Sequence, residues 1–597
     1  MAKNIVLFSD GTGDSAARPF KTNVWRLYQA IDIEQSTGSI DPEQIVYYVN
    51  GVGTERLKPI AKIGSALGLG VWKNVQDLYI FVCRNYEIGD HIYGFGFSRG
   101  AFTIRLLMGL IGKCGLLKAD SEAELVKCVK MAHEAYRRDF LIRASKRRHM
   151  IYHHILRPPK YFKCGAIDLG EAGCKQVFPD IRFVGVWDTV DAYGMPVDEL
   201  KLAIDERVWP MSFADRDPSD RLLTIRHALA LDEDRQSFRP VLWNEVVSGR
   251  HLSPERIQQV WFSGVHSNVG GGYPDDGLAL TALDWMMGEA EKVGLRYNDL
   301  ARETISAGVN PDGEQYDSRA GIGGYYRYGP RHVAALCHDT ARGVDVPTVR
   351  VHPAALERIS AWRRDYEPIS LGGTFNVAGV SKAPDAAALE NAWDLVWWRR
   401  IAYFAALAMT AFVGLFALRL VFAWPDYILM ITETALGLAW SFVSAILGAT
   451  ATAGIDSLFG WLLGHAGSVL PGWASATIPS FREYPLSGLV SLALLALAFF
   501  GWSRKLERRI KVLAEWAWAS QKGLTTAAKP KTDWRNIVAR ALRPVTALLY
   551  RRIWRGVFVP VLGIAIGVVA LIVLSPILLW RALRRRPWMA SKPMKDD

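Results

Sequence analysis

The chain has 597 residues, a net charge of +12 and a hydrophobic fraction of 50%. This length exceeds what one compact core usually holds, so we expect more than one domain. The positive charge favours an anionic partner, and we expect a phospholipid membrane and no nucleic acid, because no helix-turn-helix or zinc-finger spacing accompanies the charge. A basic cluster between residues 137 and 148 fits lipid headgroups, or equally a solvated helical face.

Short apolar runs in the first 270 residues alternate with segments of helical spacing. The predicted strands are Ile5–Phe8, Val46–Val49, His91–Gly96, Ile181–Trp187 and Gln259–Ser263. Residues 71–86 and 101–111 have the apolar spacing of helices. Strands that alternate with helices predict a parallel sheet covered on both faces. Residues from about 115 to 180 break this alternation and are predicted to form an inserted cap.

Long apolar runs begin only after about residue 400. They are Ile401–Trp424, Tyr427–Gly454, Leu486–Trp502 and Val557–Trp580. A bilayer core needs about 20 apolar helical residues, and tryptophans at the ends of such runs match an interfacial belt. We therefore predict a catalytic domain over residues 1–385 and an α-helical membrane-binding or transmembrane region over residues 386–597. Buried helices of a large soluble domain are the alternative.

Cysteine spacing and the N-terminus bear on the compartment. None of the six cysteines forms a C-x-x-C pair, so buried free thiols are the default expectation. Cys164 and Cys174 are close enough in sequence to pair in an oxidising compartment. The N-terminal residues lack the apolar stretch of a signal peptide, so we expect synthesis in the cytoplasm and any export by another route.

A G-x-S-x-G motif, Gly96-Phe97-Ser98-Arg99-Gly100, lies between a predicted strand and a predicted helix. This is the context of a nucleophile elbow, in which a strained turn exposes the serine hydroxyl. The motif alone also occurs in simple strand–helix turns. In this context it predicts an α/β-hydrolase-like parallel sheet with an inserted cap, with Ser98 as the nucleophile.

A serine nucleophile needs a base and an orienting acid. In this fold the acid, Asp or Glu, follows the serine in sequence, and the base, His, follows the acid. Asp188 directly follows the strand Ile181–Trp187, and His266 follows the strand Gln259–Ser263. Both positions lie at the carboxyl ends of parallel strands, where such side chains converge. The sequence therefore predicts a Ser98–Asp188–His266 triad.

Each assignment has an alternative. Asp188 could only cap a turn, with Asp191 as a substitute acid. His266 could be a hydrogen-bonded structural histidine, with His338 as the rival base. His227 also lies between the acid and the base in sequence, but it sits in a helix-like stretch and is the weaker candidate.

The oxyanion hole requires a backbone N–H from an early loop and one after the nucleophile. The loop Asp10-Gly11-Thr12-Gly13 supplies the first, through Gly11 or Thr12, and Arg99 supplies the second. Asp10 could instead ligate a cation, but no complete ligand set accompanies it, so we expect no metal and no cofactor. The loop does not match the phosphate-binding motif G-x-x-x-x-G-K-[ST].

These motifs together resemble the uncharacterised α/β-hydrolase-domain family that includes the first family of type VI secretion lipase effectors. The matching stretches are Phe8–Gly13, Thr22–Val24, Asn50–Thr54, Gly94–Phe102, Gly185–Val190, His227–Glu233 and Trp261–Tyr273. The resemblance implies a serine phospholipase and a C-terminal membrane-docking region. One position departs from it: the family has Asp after His-Ser in the glycine-rich motif, where this chain has Asn268, so Asp188 gains weight as the acid.

We therefore expect a serine hydrolase that cleaves acyl esters of membrane glycerophospholipids, as a type VI secretion effector or a housekeeping enzyme. Its partners would be the lipid substrate, the membrane, and a secretion-apparatus or immunity protein. It would be membrane-associated, with delivery to another cell as one route. The alternatives are a non-catalytic membrane-anchored binding protein on a hydrolase fold, or a toxin whose C-terminus permeabilises membranes.

Overall fold

We analysed a computed structural model of the chain. It describes residues 2–11, 19–33, 43–51, 70–145, 174–191, 216–361, 366–419, 486–519 and 533–549, with residues 441 and 457.

A nine-stranded sheet is the centre of the described part of the chain. Its strands are β1 (Lys3–Ser9), β2 (Glu43–Val49), β3 (His91–Phe97), β6 (Ile181–Trp187), β7 (Ile225–Ala230), β10 (Ile257–Phe262), β11 (Arg350–Val351), β12 (Phe375–Val377) and β13 (Val380–Lys382). Two small antiparallel sheets pair β4 (Leu116–Lys118) with β5 (Lys175–Val177) and β8 (Val246–Val247) with β9 (Arg250–His251). The sheet order is β13-β12-β11-β10-β7-β6-β3-β1-β2, parallel except between β12 and β13.

Helices accompany this sheet along the chain. In chain order they are α1 (Asn23–Ala30), α2 (Val71–Asn85), α3 (Arg99–Cys114), α4 (Glu122–Ser145), α5 (His266–Gly270), α6 (Gly277–Glu291), α7 (Asp299–Ala307), α8 (Val333–Cys337), α9 (Pro353–Ser360), α10 (Ala386–Arg419), α11 (Leu486–Trp518) and α12 (Trp534–Leu549).

Strand β1 shows why both faces of the sheet must be covered. Ile5 and Leu7 pack into one apolar core with α2, α3 and α4, whereas Val6 and Phe8 pack into a second core with α1 and α6. All four side chains are fully buried. Because alternate residues of a strand point to opposite faces, an uninterrupted apolar run needs helices on both sides. The predicted α/β architecture is confirmed.

One strand of the centre differs from the sequence expectation. The stretch around His227 forms β7, where the sequence analysis predicted a helix-like segment. Arg226 is buried on this strand and pairs with Glu289 across 2.5 Å, and His227 contacts Gln259 on the neighbouring strand at 3.3 Å. In sequence, Arg226 and His227 resemble the polar face of a helix. In the structure, both side chains have polar partners inside the core.

The region predicted as a cap contains β4, α4 and β5 among its described residues. A disulfide bond joins Cys128 on α4 to Cys174, next to β5. Because Cys174 is bonded to Cys128, the suggested pairing of Cys174 with Cys164 was wrong; Cys164 itself lies outside the described residues. Cys83, Cys114 and Cys337 are buried and take no part in this disulfide, as is usual for structural thiols.

The C-terminal helices pack against the sheet domain. Trp518 at the end of α11 is fully buried beside Phe375 of β12, and its indole N–H donates to the carbonyl of Pro368 at 3.1 Å. Among the described residues, no helix has both the length and the apolar character that crossing a bilayer requires. The apolar runs 427–454 and 557–580 lie outside the described residues, apart from residue 441.

Candidate active site

Ser98 lies in a sharp turn between β3 and α3. Its backbone φ is +58° and ψ is −122°, a conformation that L-residues rarely adopt, and its side chain is almost entirely buried. Non-glycine residues persist in such conformations only when the surrounding structure holds them there. The turn thus fixes the hydroxyl at the carboxyl edge of the sheet, at the N-terminus of a helix.

The two glycines of the motif are required by close backbone packing. A Cβ atom at Gly100 would lie 2.0 Å from the carbonyl oxygen of Ser9, and one at Gly96 would lie 2.7 Å from that of Gly100. Both contacts are with backbone, which cannot rotate away. The flanking positions therefore admit only glycine while α3 stays against β1 and β3.

We expect Gly100→Ala to lower the free energy of unfolding by at least about 3 kcal/mol, since the methyl group must displace a core strand. Gly501→Ala is the matched control, because a Cβ there meets no atom within 4 Å and the position is helical. Thermal melts followed by circular dichroism would compare the two. Equal melting temperatures would contradict the packing argument.

His266 begins α5, directly after the loop that follows β10. Its Nε2 lies 2.8 Å from Ser98 Oγ, and its Nδ1 lies 2.6 Å from Asp188 Oδ2. Its backbone N–H donates to Glu233 Oε2 at 3.2 Å, and its ring packs against Phe97 and Phe238. The position of the imidazole is thus fixed by hydrogen bonds at its backbone N–H and at both ring nitrogens, and by packing against two aromatic rings.

Asp188 follows β6 with a φ of +38° and is fully buried. Its Oδ1 accepts from the amide of Ala230 at 3.0 Å, which ties it to the end of β7. The guanidinium of Arg331 donates to both carboxylate oxygens, at 2.7 and 2.8 Å. Arg331 also donates to the carbonyls of Ala230 and Phe238. A bidentate arginine therefore holds the acid that faces His266.

The charges of this cluster favour an ionised acid and a neutral imidazole. Burial alone would raise the pKa of Asp188, but Arg331 and the hydrogen bond from His266 hold it well below its usual range. Burial lowers the pKa of His266, and Asp188 only partly opposes this effect. The imidazole therefore stays unprotonated near neutral pH, mainly because it is buried, as a general base requires.

The residues predicted for the oxyanion hole are described only in part. Arg99 is the first residue of α3, so its amide lies at a helix N-terminus, where N–H groups point toward bound anions. The amide of Gly11 donates to Asp10 Oδ1 at 2.7 Å, and Asp10 also accepts from Thr22 and Tyr48. Thr12 lies outside the described residues.

The rival histidines have other surroundings. His227 is buried, its Nε2 accepts from the amide of Thr189 at 3.2 Å, and burial lowers its pKa to about 3. His338 has a half-exposed side chain 3.7 Å from Asp345. Neither lies within hydrogen-bond distance of Ser98, whereas His266 does.

Asn268, the position that departs from the family motif, has a structural setting. Its Oδ1 accepts from the amide of Val265 at 3.3 Å, and its Nδ2 donates to the carbonyl of Glu314 at 2.8 Å. The amide side chain thus joins the loop before α5 to the segment at residue 314. The acid in contact with His266 is Asp188 instead.

Sequence reasoning did not single out two residues of this cluster. Arg331 lies in no recognisable motif. Glu233, which accepts from the His266 amide, ends the stretch His227–Glu233, and that stretch was a usable signal. Burial would raise the pKa of Glu233, but Arg235 holds it at about 2. Within the described ranges, no group of three or more potential ligands could hold a metal ion.

The chain is similar to a protein-family model, to a curated protein and to a solved structure. The family model "T6SS, Phospholipase effector Tle1-like, catalytic domain" matches residues 3–289. The uncharacterized protein YEL023C of Saccharomyces cerevisiae is 29% identical over 251 residues, which cover 40% of this chain and 32% of that protein. The chain therefore spans about a third of that relative. A crystal structure of an uncharacterized Pseudomonas aeruginosa protein aligns with 18% identity, over 52% of this chain and 49% of that one, at a TM-score of 0.29.

The family model covers the elbow, the acid and the base, and it ends before Arg331. The resemblance predicted from the motifs is thereby confirmed: residues 3–289 match the catalytic domain of the Tle1-like phospholipase effectors of type VI secretion.

Proposed function

We propose that this chain is a serine hydrolase that cleaves acyl esters of membrane glycerophospholipids, as a phospholipase A. The observation that carries the proposal is the continuous hydrogen-bond chain from Ser98 Oγ through both nitrogens of His266 to Asp188. This arrangement turns a weakly nucleophilic hydroxyl into an attacking group. The match to phospholipase effectors supports a lipid-hydrolysing enzyme and supplies the substrate class.

The proposed reaction has two halves. In the first, Ser98 Oγ attacks the ester carbonyl while its proton moves to His266 Nε2, and the imidazolium then protonates the leaving alkoxide to give a lysophospholipid. In the second, His266 deprotonates a water molecule, which attacks the acyl-enzyme and releases a fatty acid. Asp188 keeps the Nδ1–H tautomer and stabilises the imidazolium. The amides of Arg99 and Thr12 would bind the oxyanion, whereas the amide of Gly11 donates to Asp10 Oδ1.

We further propose that residues 1–385 form the catalytic domain, with a cap over about 115–180, and that residues 386–597 bind the membrane. The described part of the C-terminal region packs on the sheet domain through α10 and α11, which would bring bound lipid close to the elbow. Delivery to another cell, with an immunity protein as partner, is what the effector family suggests.

The proposal is tested by product analysis with the full chain. Vesicles of phosphatidylethanolamine and phosphatidylglycerol are incubated with the protein, and the lipids are identified by mass spectrometry. Phospholipase A chemistry yields a free fatty acid and a lysophospholipid in equal amounts. Diacylglycerol or phosphatidic acid would point to cleavage at the phosphate and contradict the proposal, as would unchanged lipid.

Arg331 is a positioning residue, and its removal should change the pH profile. In Arg331→Met the charge of Asp188 is no longer offset, so the carboxylate favours the imidazolium more strongly and the pKa of His266 rises. Because the base must be neutral, activity is lost as pH falls through this pKa. We therefore expect the acid limb of kcat/KM to move to higher pH, together with a loss of stability of about 3 kcal/mol or more.

Arg358→Met is the matched control for that measurement. Arg358 is equally buried, and its guanidinium donates to the carbonyls of Pro311 and Gly313. We expect Arg358→Met to lower the melting temperature while leaving the acid limb in place. An acid limb that is the same in the wild type and both variants would assign Arg331 a purely structural role.

A further inference from the structure

A cavity lies between α10, α12 and the loops at the edge of the sheet domain. Its volume is about 860 Å³, which is within the range of small-molecule binding sites. Ser98, Asp188 and His266 do not line it. This cavity is therefore a site in its own right, apart from the catalytic cluster.

One wall is a continuous face of α10. Its apolar members recur at helical spacing and run along the helix axis. They are Ala386, Leu389, Trp393, Val396, Trp397, Ile401 and Phe404. The opposite wall is Thr546 and Ala547 of α12, and the indole N–H of Trp397 donates to Thr546 Oγ1 at 3.2 Å. An elongated apolar trough bounded by two helices fits an aliphatic chain.

Three arginines line the same cavity. They are Arg327 from the loop before α8, Arg400 from α10 and Arg543 from α12. Arg543 is paired with Asp394 at 2.9 Å. Among the described lining residues Glu390 is the one carboxylate, and its exposed side chain lies 3.6 Å from Arg540. The described lining thus has more positive than negative charge.

Two buried donors of this lining lack an acceptor. The Nε–H of Arg400 and the indole N–H of Trp393 have no hydrogen-bond partner within the described part of the chain. A buried N–H without an acceptor is destabilising, and a charged one more so. Burial and the neighbouring charges of Arg327 and Arg543 lower the pKa of Arg400 to about 10, an effect that a bound anion would reverse.

We propose that this cavity binds an anionic single-chain amphiphile, with its head group on the guanidinium of Arg400 and its aliphatic chain along the α10 wall. A carboxylate or a phosphate head group pairs equally with a guanidinium. The ligand is thus a fatty acid or a single-chain lipid phosphate. This inference is independent of the chemistry proposed for Ser98, and either can fail without the other.

Calorimetric titration of the full chain tests the site with ligands that contain no ester. Palmitate, hexadecyl phosphate and hexadecanol share one chain length and differ in the head group, and inorganic phosphate lacks the chain. The three amphiphiles are used at concentrations below those at which they aggregate. We expect one molecule of palmitate or hexadecyl phosphate per chain, with hexadecanol and inorganic phosphate bound at least about tenfold more weakly. The tighter of the two anions identifies the head group.

Variants locate the binding. Arg400→Gln should weaken the anionic ligand about tenfold or more, because a charged hydrogen-bond donor is lost. Ala547→Phe fills the trough from the exposed face of α12 and should lower the affinity without changing the charge. Arg535→Gln is the control, since Arg535 pairs with Asp533, the residue before α12, and lies outside the lining.

Circular dichroism verifies that each variant is folded, and Ala547→Phe keeps the test decisive if Arg400→Gln is unstable. The proposal would be overturned by no binding of either anion, by equal binding of hexadecanol, or by equal affinities in Arg400→Gln, Ala547→Phe and Arg535→Gln. Binding of inorganic phosphate as tight as that of hexadecyl phosphate would also overturn it, because the chain would then contribute nothing.

Discussion

Ser98→Ala is expected to lower phospholipid turnover by a factor on the order of 10⁴ to 10⁶, because the group that attacks the ester is removed. The substitution deletes one oxygen atom at an almost fully buried position and leaves the backbone of the elbow unchanged. Folding should therefore be preserved. Release of fatty acid from phosphatidylglycerol vesicles measures the effect.

Ser267→Ala is the control for this variant, since Ser267 lies beside His266 in sequence but takes no part in the proposed reaction. Vesicle sedimentation should show both variants bound to lipid as the wild type is. Turnover by Ser98→Ala close to that of the wild type would remove Ser98 from the mechanism, whatever the products are.

Asp188→Asn should lower kcat by a factor of about 10⁴ while the protein remains folded. The amide cannot accept from His266 Nδ1–H and pair with Arg331 through both atoms, as the carboxylate does at 2.6, 2.7 and 2.8 Å. The imidazole then loses its orienting acceptor and favours the wrong tautomer. Steady-state kinetics would locate the loss in kcat.

Asp191→Asn tests the alternative acid proposed from the sequence. Asp191 lies three residues away and interacts electrostatically with Arg105 and Arg216, outside the hydrogen-bond chain of His266. We expect it to retain activity. If Asp191→Asn were inactive and Asp188→Asn active, the acid would have to be reassigned.

The elements that sequence reasoning identified are those with strong local causes. Strands β1 and β3 are short apolar runs buried on both faces, and the elbow glycines are dictated by close backbone contacts of Gly96 with Gly100 and of Gly100 with Ser9. The order of nucleophile, acid and base follows from the topology of parallel strands, whose carboxyl ends meet at one edge. Such features are visible in sequence because each depends on few residues.

The features that escaped depend on distant partners. The sequence of β7 resembles a helix because Arg226 and His227 are residue types that usually lie on the surface. Their burial is explained by Glu289 and Gln259, which are distant in sequence. Arg331 is one of 71 basic residues, and nothing near it in sequence indicates that it contacts Asp188, 143 residues earlier. The pairing of Cys128 with Cys174 is set by the packing of α4 beside β5, which spacing alone does not encode.

Labelling with a fluorophosphonate tests most directly whether Ser98 is activated by His266. The full chain is treated with the probe and digested, and the modified peptide is located by mass spectrometry. The account predicts one phosphonylated residue, Ser98, with labelling that slows strongly in a folded His266→Ala variant. A folded wild-type protein that takes up no label, or takes it up on another serine, would contradict the account.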